Sequence, residues 1–92
     1  MVPKIAPHVA WQIVDGEAII VDLASGNTIG LNATGTFIWT QIDGDRDADS
    51  IAVAVAGEFN VDNEEAASHT REFLTDMNSR ALVVDVAAGV PR

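Results

Sequence analysis

Residues 9–32 read VAWQIVDGEAIIVDLASGNTIGLN, and two turn signals cut this stretch into three pieces. Val9, Trp11 and Ile13 alternate with Ala10, Gln12 and Val14, which is the period of an extended segment with two distinct faces. Asp15-Gly16 ends the run, and Asp-Gly suits the left-handed φ values of a two-residue hairpin turn. A second strand is expected over about Glu17 to Leu23, with Ile19, Val21 and Leu23 sharing a face and Asp22 pointing away. Ser25-Gly26-Asn27 marks the next turn, and a short third strand covers Thr28 to Leu31. The stretch predicts a three-stranded antiparallel meander with one apolar face, too small to stand without a covering layer.

The apolar period changes at Asn32. Its side-chain oxygen can accept from free backbone N–H groups of a following helical turn, and Phe37, Ile38 and Ile42 follow at helical spacing, so a first helix is expected over about Ala33 to Ile42. Asp43-Gly44 stops it, with glycine suited to the left-handed position after a helix. A second helix is expected over Ala48 to Phe59 behind an Asp47 cap, with Ile51, Val55 and Phe59 on one stripe. The third opens with Asp62-Asn63-Glu64-Glu65, a capping-box pattern, and carries Ala66, Thr70, Phe73 and Met77 on its inner face. Leu82 to Val86 reads as a short extended segment. Strands followed by helices mean an α+β fold: a three-stranded antiparallel sheet and then a three-helix bundle, an order that also describes a winged helix. One domain is expected over residues 1–92, with its core at about 9–84 and a mobile tail at 87–92.

Composition narrows the function. Ninety-two residues leave no room for a second core, and a chain this size buries only roughly 60 to 65% of its unfolded surface, so a deep substrate cavity is not expected. Fourteen acids against five bases give a formal charge of −9, a field that repels polyanions and argues against nucleic acid as a partner. The absence of cysteine removes disulfides, thiolate metal sites and cysteine nucleophiles. The longest unbroken apolar stretches, Ala18 to Val21 and Ile51 to Ala56, fall far short of the roughly 20 residues of a membrane span. The first residues, MVPKIAP, carry two prolines where a signal peptide has its apolar region, so a soluble cytoplasmic protein without membrane contact is expected.

No catalytic constellation emerges. Asp43, Asp45, Asp47 and Asp49 alternate as at the start of a calcium loop, but Ala48 and Ala54 stand where that loop needs its glycine and its bidentate glutamate. His8 and His69 lie in different elements, and Glu65 and Glu72 flank His69 on its helix as ordinary surface neighbours. Ser68 and His69 are adjacent on a helix, where side chains diverge. Gly26 to Gly30 lacks the Lys and Ser/Thr of a phosphate loop. Asn32-Ala33-Thr34 is a formal glycosylation sequon whose asparagine is better used as a helix cap. Trp11 and Trp39 read as core residues, and Arg71 stands out as a cation on the flank of an acidic helix. No cofactor or metal is expected.

The ordered set of Val9-Ala10-Trp11-Gln12, Asp15 to Leu23, Ser25 to Asn32, Thr34-Gly35, Ile38-Trp39, Asp43-Gly44 and Phe73-Leu74 resembles the PqqD family. The resemblance spans about Val9 to Val84. It implies a noncatalytic peptide-binding chaperone for ribosomally made, post-translationally modified peptides: the leader segment of a precursor adds as a strand beside the third strand, in a groove walled by the third helix, and is handed to a modifying enzyme. In PQQ biosynthesis that enzyme is a radical S-adenosylmethionine protein. Carried onto this chain, the implied peptide-binding residues are Asn27, Thr28, Ile29, Gly30 and Leu31 on the sheet edge and Ala67, Thr70, Arg71 and Leu74 on the helix wall. The third strand reads Thr-Ile-Gly-Leu-Asn and no tryptophan follows the last helix, which separates this chain from the PQQ member itself.

The residues support that mode by themselves. Thr28 to Leu31 holds neither the charge nor the proline that normally blunts an open strand edge. An open edge also permits a strand-exchanged homodimer. The alternative, a winged-helix DNA-binding or transcription-associated module, follows from the helix order. It requires a basic recognition helix, whereas Asp62 to Met77 holds Asp62, Glu64, Glu65, Glu72 and Asp76 against Arg71 alone.

Overall fold

The computed structural model describes residues 1–87. In chain order its elements are β1 (Pro3–Ile5), β2 (Val9–Val14), β3 (Glu17–Asp22), β4 (Thr28–Gly30), α1 (Ala33–Thr40), α2 (Ala48–Phe59), α3 (Asn63–Ser79) and β5 (Val83–Asp85). β2, β3 and β4 form the antiparallel meander in that order, and β1 pairs antiparallel with β5 in a separate two-stranded sheet. Asp15 and Gly16 take φ values of 52° and 81°, the left-handed pair that a two-residue hairpin requires. The end of the expected tail, residues 88–92, lies outside the described residues.

One face of the second strand differs from expectation. The hairpin register sets Ile20 opposite Trp11 and Ala18 opposite Ile13, and it is Ala18 and Ile20 that are buried. Ile19 and Val21 lie on the other face and Leu23 is 64% exposed. Ala18 to Val21 is apolar at every position, so alternation cannot choose its face; the turn register does, and a shift of one residue swaps the two faces. Trp11 does point to the helix side, but it stands at the sheet margin, 40% exposed, with its ring edge-on to the fully buried Trp39 at 6.2 Å.

The helices are capped as their sequences dictate. Asn32, Asp47 and Asp62 accept from the backbone N–H groups of Gly35, Ser50 and Glu65. α1 is two residues shorter than expected, because Gln41 and Ile42 donate three residues back, to Ile38 and Trp39, and tighten the last turn. On α3 the buried stripe is Ala66, Thr70, Leu74 and Met77; Leu74 takes the place expected of Phe73, which is half-buried. Ile20, Leu31, Ile38, Trp39, Ile51, Val55, Leu74 and Val83 belong to one continuous core.

β1 lies outside the expected core range, yet Pro3 is buried, its carbonyl accepts from Gly44 N–H at 3.1 Å, and Met1 and Ala6 are tied to Ala48 and Leu82. Proline is tolerated at the first residue of a two-stranded sheet, where its missing donor breaks no ladder.

Thr36 joins the two layers. Its hydroxyl accepts from Ala18 N–H at 2.8 Å and donates to the Leu31 carbonyl at 3.4 Å, while Leu31 N–H reaches the Ala18 carbonyl at 2.9 Å. The hydroxyl thus stands in the β3–β4 ladder where the chain leaves β4 for α1. Thr36→Val, similar in shape, strands a buried donor and a buried acceptor and is expected to cost about 1–3 kcal/mol in a denaturant melt. A melt matching that of the unsubstituted protein contradicts the bridging role.

Candidate functional site: the β4 edge and its groove

Among the described residues, β4 is paired with β3 and with no other strand. Leu31 N–H bonds the Ala18 carbonyl, Asp22 N–H bonds the Asn27 carbonyl, and Ile29 lies opposite Ile20. Antiparallel ladders alternate, so the main-chain groups of residues 27, 29 and 31 turn toward β3 and those of Thr28 and Gly30 turn outward. Both of these residues are exposed. Their outward N–H and C=O groups are the template that an added strand needs.

Beside this edge, between the start of α1 and one face of α3, lies an open groove of about 500 Å³. Leu31, Ile38, Phe73 and Met77 supply its apolar lining, while Asn32, Thr34, His69, Glu72 and Asp76 supply its polar groups. Gly35 lets the first turn of α1 approach α3: a Cβ there would meet Phe73 Cε1 at 3.1 Å and the Asn32 Oδ1 cap atom at 3.3 Å. A smaller hollow of about 100 Å³ lies toward the other end of β4, lined by Ile20, Asp22, Asn27, Ile29, Arg80 and Leu82. Asp76 of the groove and Arg80 of the hollow form an ion pair at 3.1 Å.

Gly30 and Leu31 line the groove, Asn27 and Ile29 line the hollow, and Thr28 presents its backbone at the edge between them. The helix positions do not follow expectation. Thr70 and Leu74 are each 1% exposed and belong to the buried stripe, and Ala67 and Arg71 lie on its far flank, so none of the four lines the groove or the hollow. At 100° per residue, His69, Glu72, Phe73 and Asp76 occupy the flank facing β4. The four are carried over from the family resemblance; on this helix Leu74 takes the core place and Phe73 turns to the groove, so the residues beside β4 are those of the opposite flank. Gly35 was the available signal: a glycine inside a helix implies a large neighbour close by, and that neighbour is Phe73.

Asp22 organises the turn that delivers β4. Its carboxylate accepts from Ala24 N–H at 2.9 Å and Ser25 N–H at 3.4 Å and lies 3.8 Å from His8 Nε2. Partial burial pushes its carboxyl up, but the hydrogen bonds from Ala24 and Ser25 and the nearby His8 outweigh it and hold the group below its ordinary 3.8. A lowered folded value means that the stabilisation is complete above the unfolded value and fades as pH falls through the folded one. Thermal stability from this group is therefore expected to be flat between about pH 5 and 7 and to drop below about pH 4. Asp22→Asn removes that part of the acid sensitivity, and an unchanged acid limb contradicts the assignment.

Among the described residues no group of three His, Asp or Glu side chains is arranged to hold a metal ion, and no helix is long and apolar enough to cross a membrane.

Two solved structures share this fold. TbiB1 in complex with the TbiA(beta) leader peptide matches with a TM-score of 0.82 at 26% identity, covering 97% of this chain and 99% of that one. A lasso peptide synthetase B1 complexed with the leader peptide matches with a TM-score of 0.82 at 16% identity, covering 92% of this chain and 100% of that one, a likeness of fold alone. No curated protein matches the chain. The sequence model of PqqD, described as coenzyme PQQ synthesis protein D, matches residues 17–83, from the start of β3 to the first residue of β5. The chain belongs to the PqqD family.

Proposed function

We infer that this domain is a noncatalytic recognition element that captures the leader segment of a ribosomally made precursor by strand addition to β4 and presents it to a modifying enzyme. One observation carries the reading: Thr28 and Gly30 turn unpaired main-chain groups outward beside a groove walled by α3, in a fold shared along 97% of the chain with a protein solved with a leader peptide. Main-chain pairing supplies affinity without regard to sequence, and the groove beside it supplies selectivity through the peptide's alternate side chains.

The partner enzyme modifies peptides, and a radical S-adenosylmethionine protein is the one that the family resemblance implies. The cytoplasm, where precursors are synthesised, is the compartment that suits this role. The DNA-binding alternative gains no support from α3, whose groove flank carries Glu72 and Asp76 and neither Lys nor Arg.

The test is an NMR titration of the full chain with leader segments of precursors encoded beside its gene. Amide shifts are expected at Thr28 to Leu31 and at His69, Glu72, Phe73 and Asp76. Shifts confined to the free edge of β2, or none with any such peptide, overturn the reading.

A further inference from the structure

The groove beside β4 has an apolar floor and an acidic rim. Glu72 and Asp76 stand one helical turn apart on α3, with His69 about one turn before Glu72, and among the described residues no Lys or Arg lines the cavity. Asp76 is already paired with Arg80 at 3.1 Å. Glu72 has no cationic partner among the described ion pairs, its one recorded contact being the Ser68 hydroxyl, which donates at 3.5 Å. An unpaired carboxylate at the mouth of a partly apolar cavity attracts a cation more strongly than one in open water and repels an acidic side chain.

A strand added to the outward groups of Thr28 and Gly30 alternates its own side chains. Those opposite Ile29 and Leu31 turn to the inner face of the sheet, toward α3, and successive inward side chains are two residues apart. One of them can enter the floor formed by Leu31, Ile38, Phe73 and Met77; its inward neighbour then lies along the rim.

We propose that this chain selects leader segments in which a Lys or Arg lies two residues from an apolar anchor, with the basic side chain set against Glu72. The proposal rests on strand capture at β4 and adds the chemical class of the captured segment. The formal charge of −9 reinforces it at long range, steering basic segments toward the domain before they dock.

The test selects randomised displayed 12-residue peptides on the full chain and, in parallel, on Glu72→Lys and Glu72→Gln, all folded as checked by their melts. Selected peptides are then titrated by NMR. The expected result is a wild-type consensus with Lys or Arg two residues from an apolar position, and shifts at Thr28 and Gly30. Replacing that basic residue by Glu weakens binding about tenfold, Glu72→Gln weakens it by about threefold, and Glu72→Lys restores the Glu-bearing peptide. Peptides that shift Thr28 and Gly30 but show no basic preference, or are indifferent to Glu72→Lys, overturn the charge selection and leave strand capture standing. Failure of every selected peptide to shift those two amides overturns strand capture itself, and this inference with it.

Discussion

Leu74→Asp is expected to unfold the domain. Leu74 is 1% exposed, on the α3 stripe that packs into the continuous core with Ile20, Ile38, Trp39 and Val55. The substitution removes a buried leucine, worth about 2–5 kcal/mol when truncated, and leaves a carboxylate that costs several kcal/mol more to bury unpaired. Together these approach the roughly 5–15 kcal/mol that holds a domain of this kind folded. Circular dichroism is expected to show loss of the cooperative melt, and Leu74→Ala a cooperative melt displaced to lower temperature. A folded Leu74→Asp with weakened peptide binding places Leu74 on the groove wall instead and contradicts this orientation of α3. For the same reason, groove function is better probed at Glu72 or Phe73, which line the cavity.

Gly30→Pro is expected to abolish peptide capture while leaving the fold nearly untouched. The Gly30 N–H turns away from β3, so losing it breaks no ladder bond, and a Cβ there meets only Ile19 Cδ1 at an ordinary 3.7 Å. The proline ring removes one of the two outward donors and occupies the edge on which a strand would lie. Affinity for a leader peptide is expected to fall by more than about tenfold, with a melting temperature within a few degrees of the unsubstituted protein. Gly30→Ala keeps the N–H and is expected to bind. Ile29→Pro removes an inward donor of the β3–β4 ladder and is expected to destabilise the sheet. Full binding by Gly30→Pro means that the peptide does not pair with β4.

The meander, its turns, the three helix starts and the full span of α2 were legible because each rests on local chemistry: Asp15-Gly16 for the hairpin, and Asn32, Asp47 and Asp62 for the caps. The open edge was legible for a similar reason, since an uncharged Thr28 to Leu31 without proline is a property of the strand itself. What local chemistry could not supply was rotation about an axis. Ala18 to Val21 has no alternation from which to read a face, and the adjacent Phe73 and Leu74 are equally apolar candidates for the core side of α3. The face of β3 is decided by the register that the two-residue Asp15-Gly16 turn imposes, which sets Ile20 opposite Trp11, and the face of α3 by the close approach that Gly35 permits to Phe73. β1 escaped for a different reason. Three residues that begin on Pro3, with Pro7 soon after, carry little signal, and their pairing partner lies about 80 residues away, at Val83 to Asp85.

Strand addition predicts an alternating signature that side-chain docking does not. Amide hydrogen exchange of the full chain, with and without a bound leader peptide, reads it directly. The Leu31 amide is already bonded to Ala18 and is expected to change little, whereas Thr28 and Gly30, exposed and outward-facing, are expected to slow by about tenfold or more once a strand pairs with them. Uniform slowing across residues 28–31, or slowing confined to α3 with Thr28 and Gly30 unchanged, contradicts capture at the β4 edge.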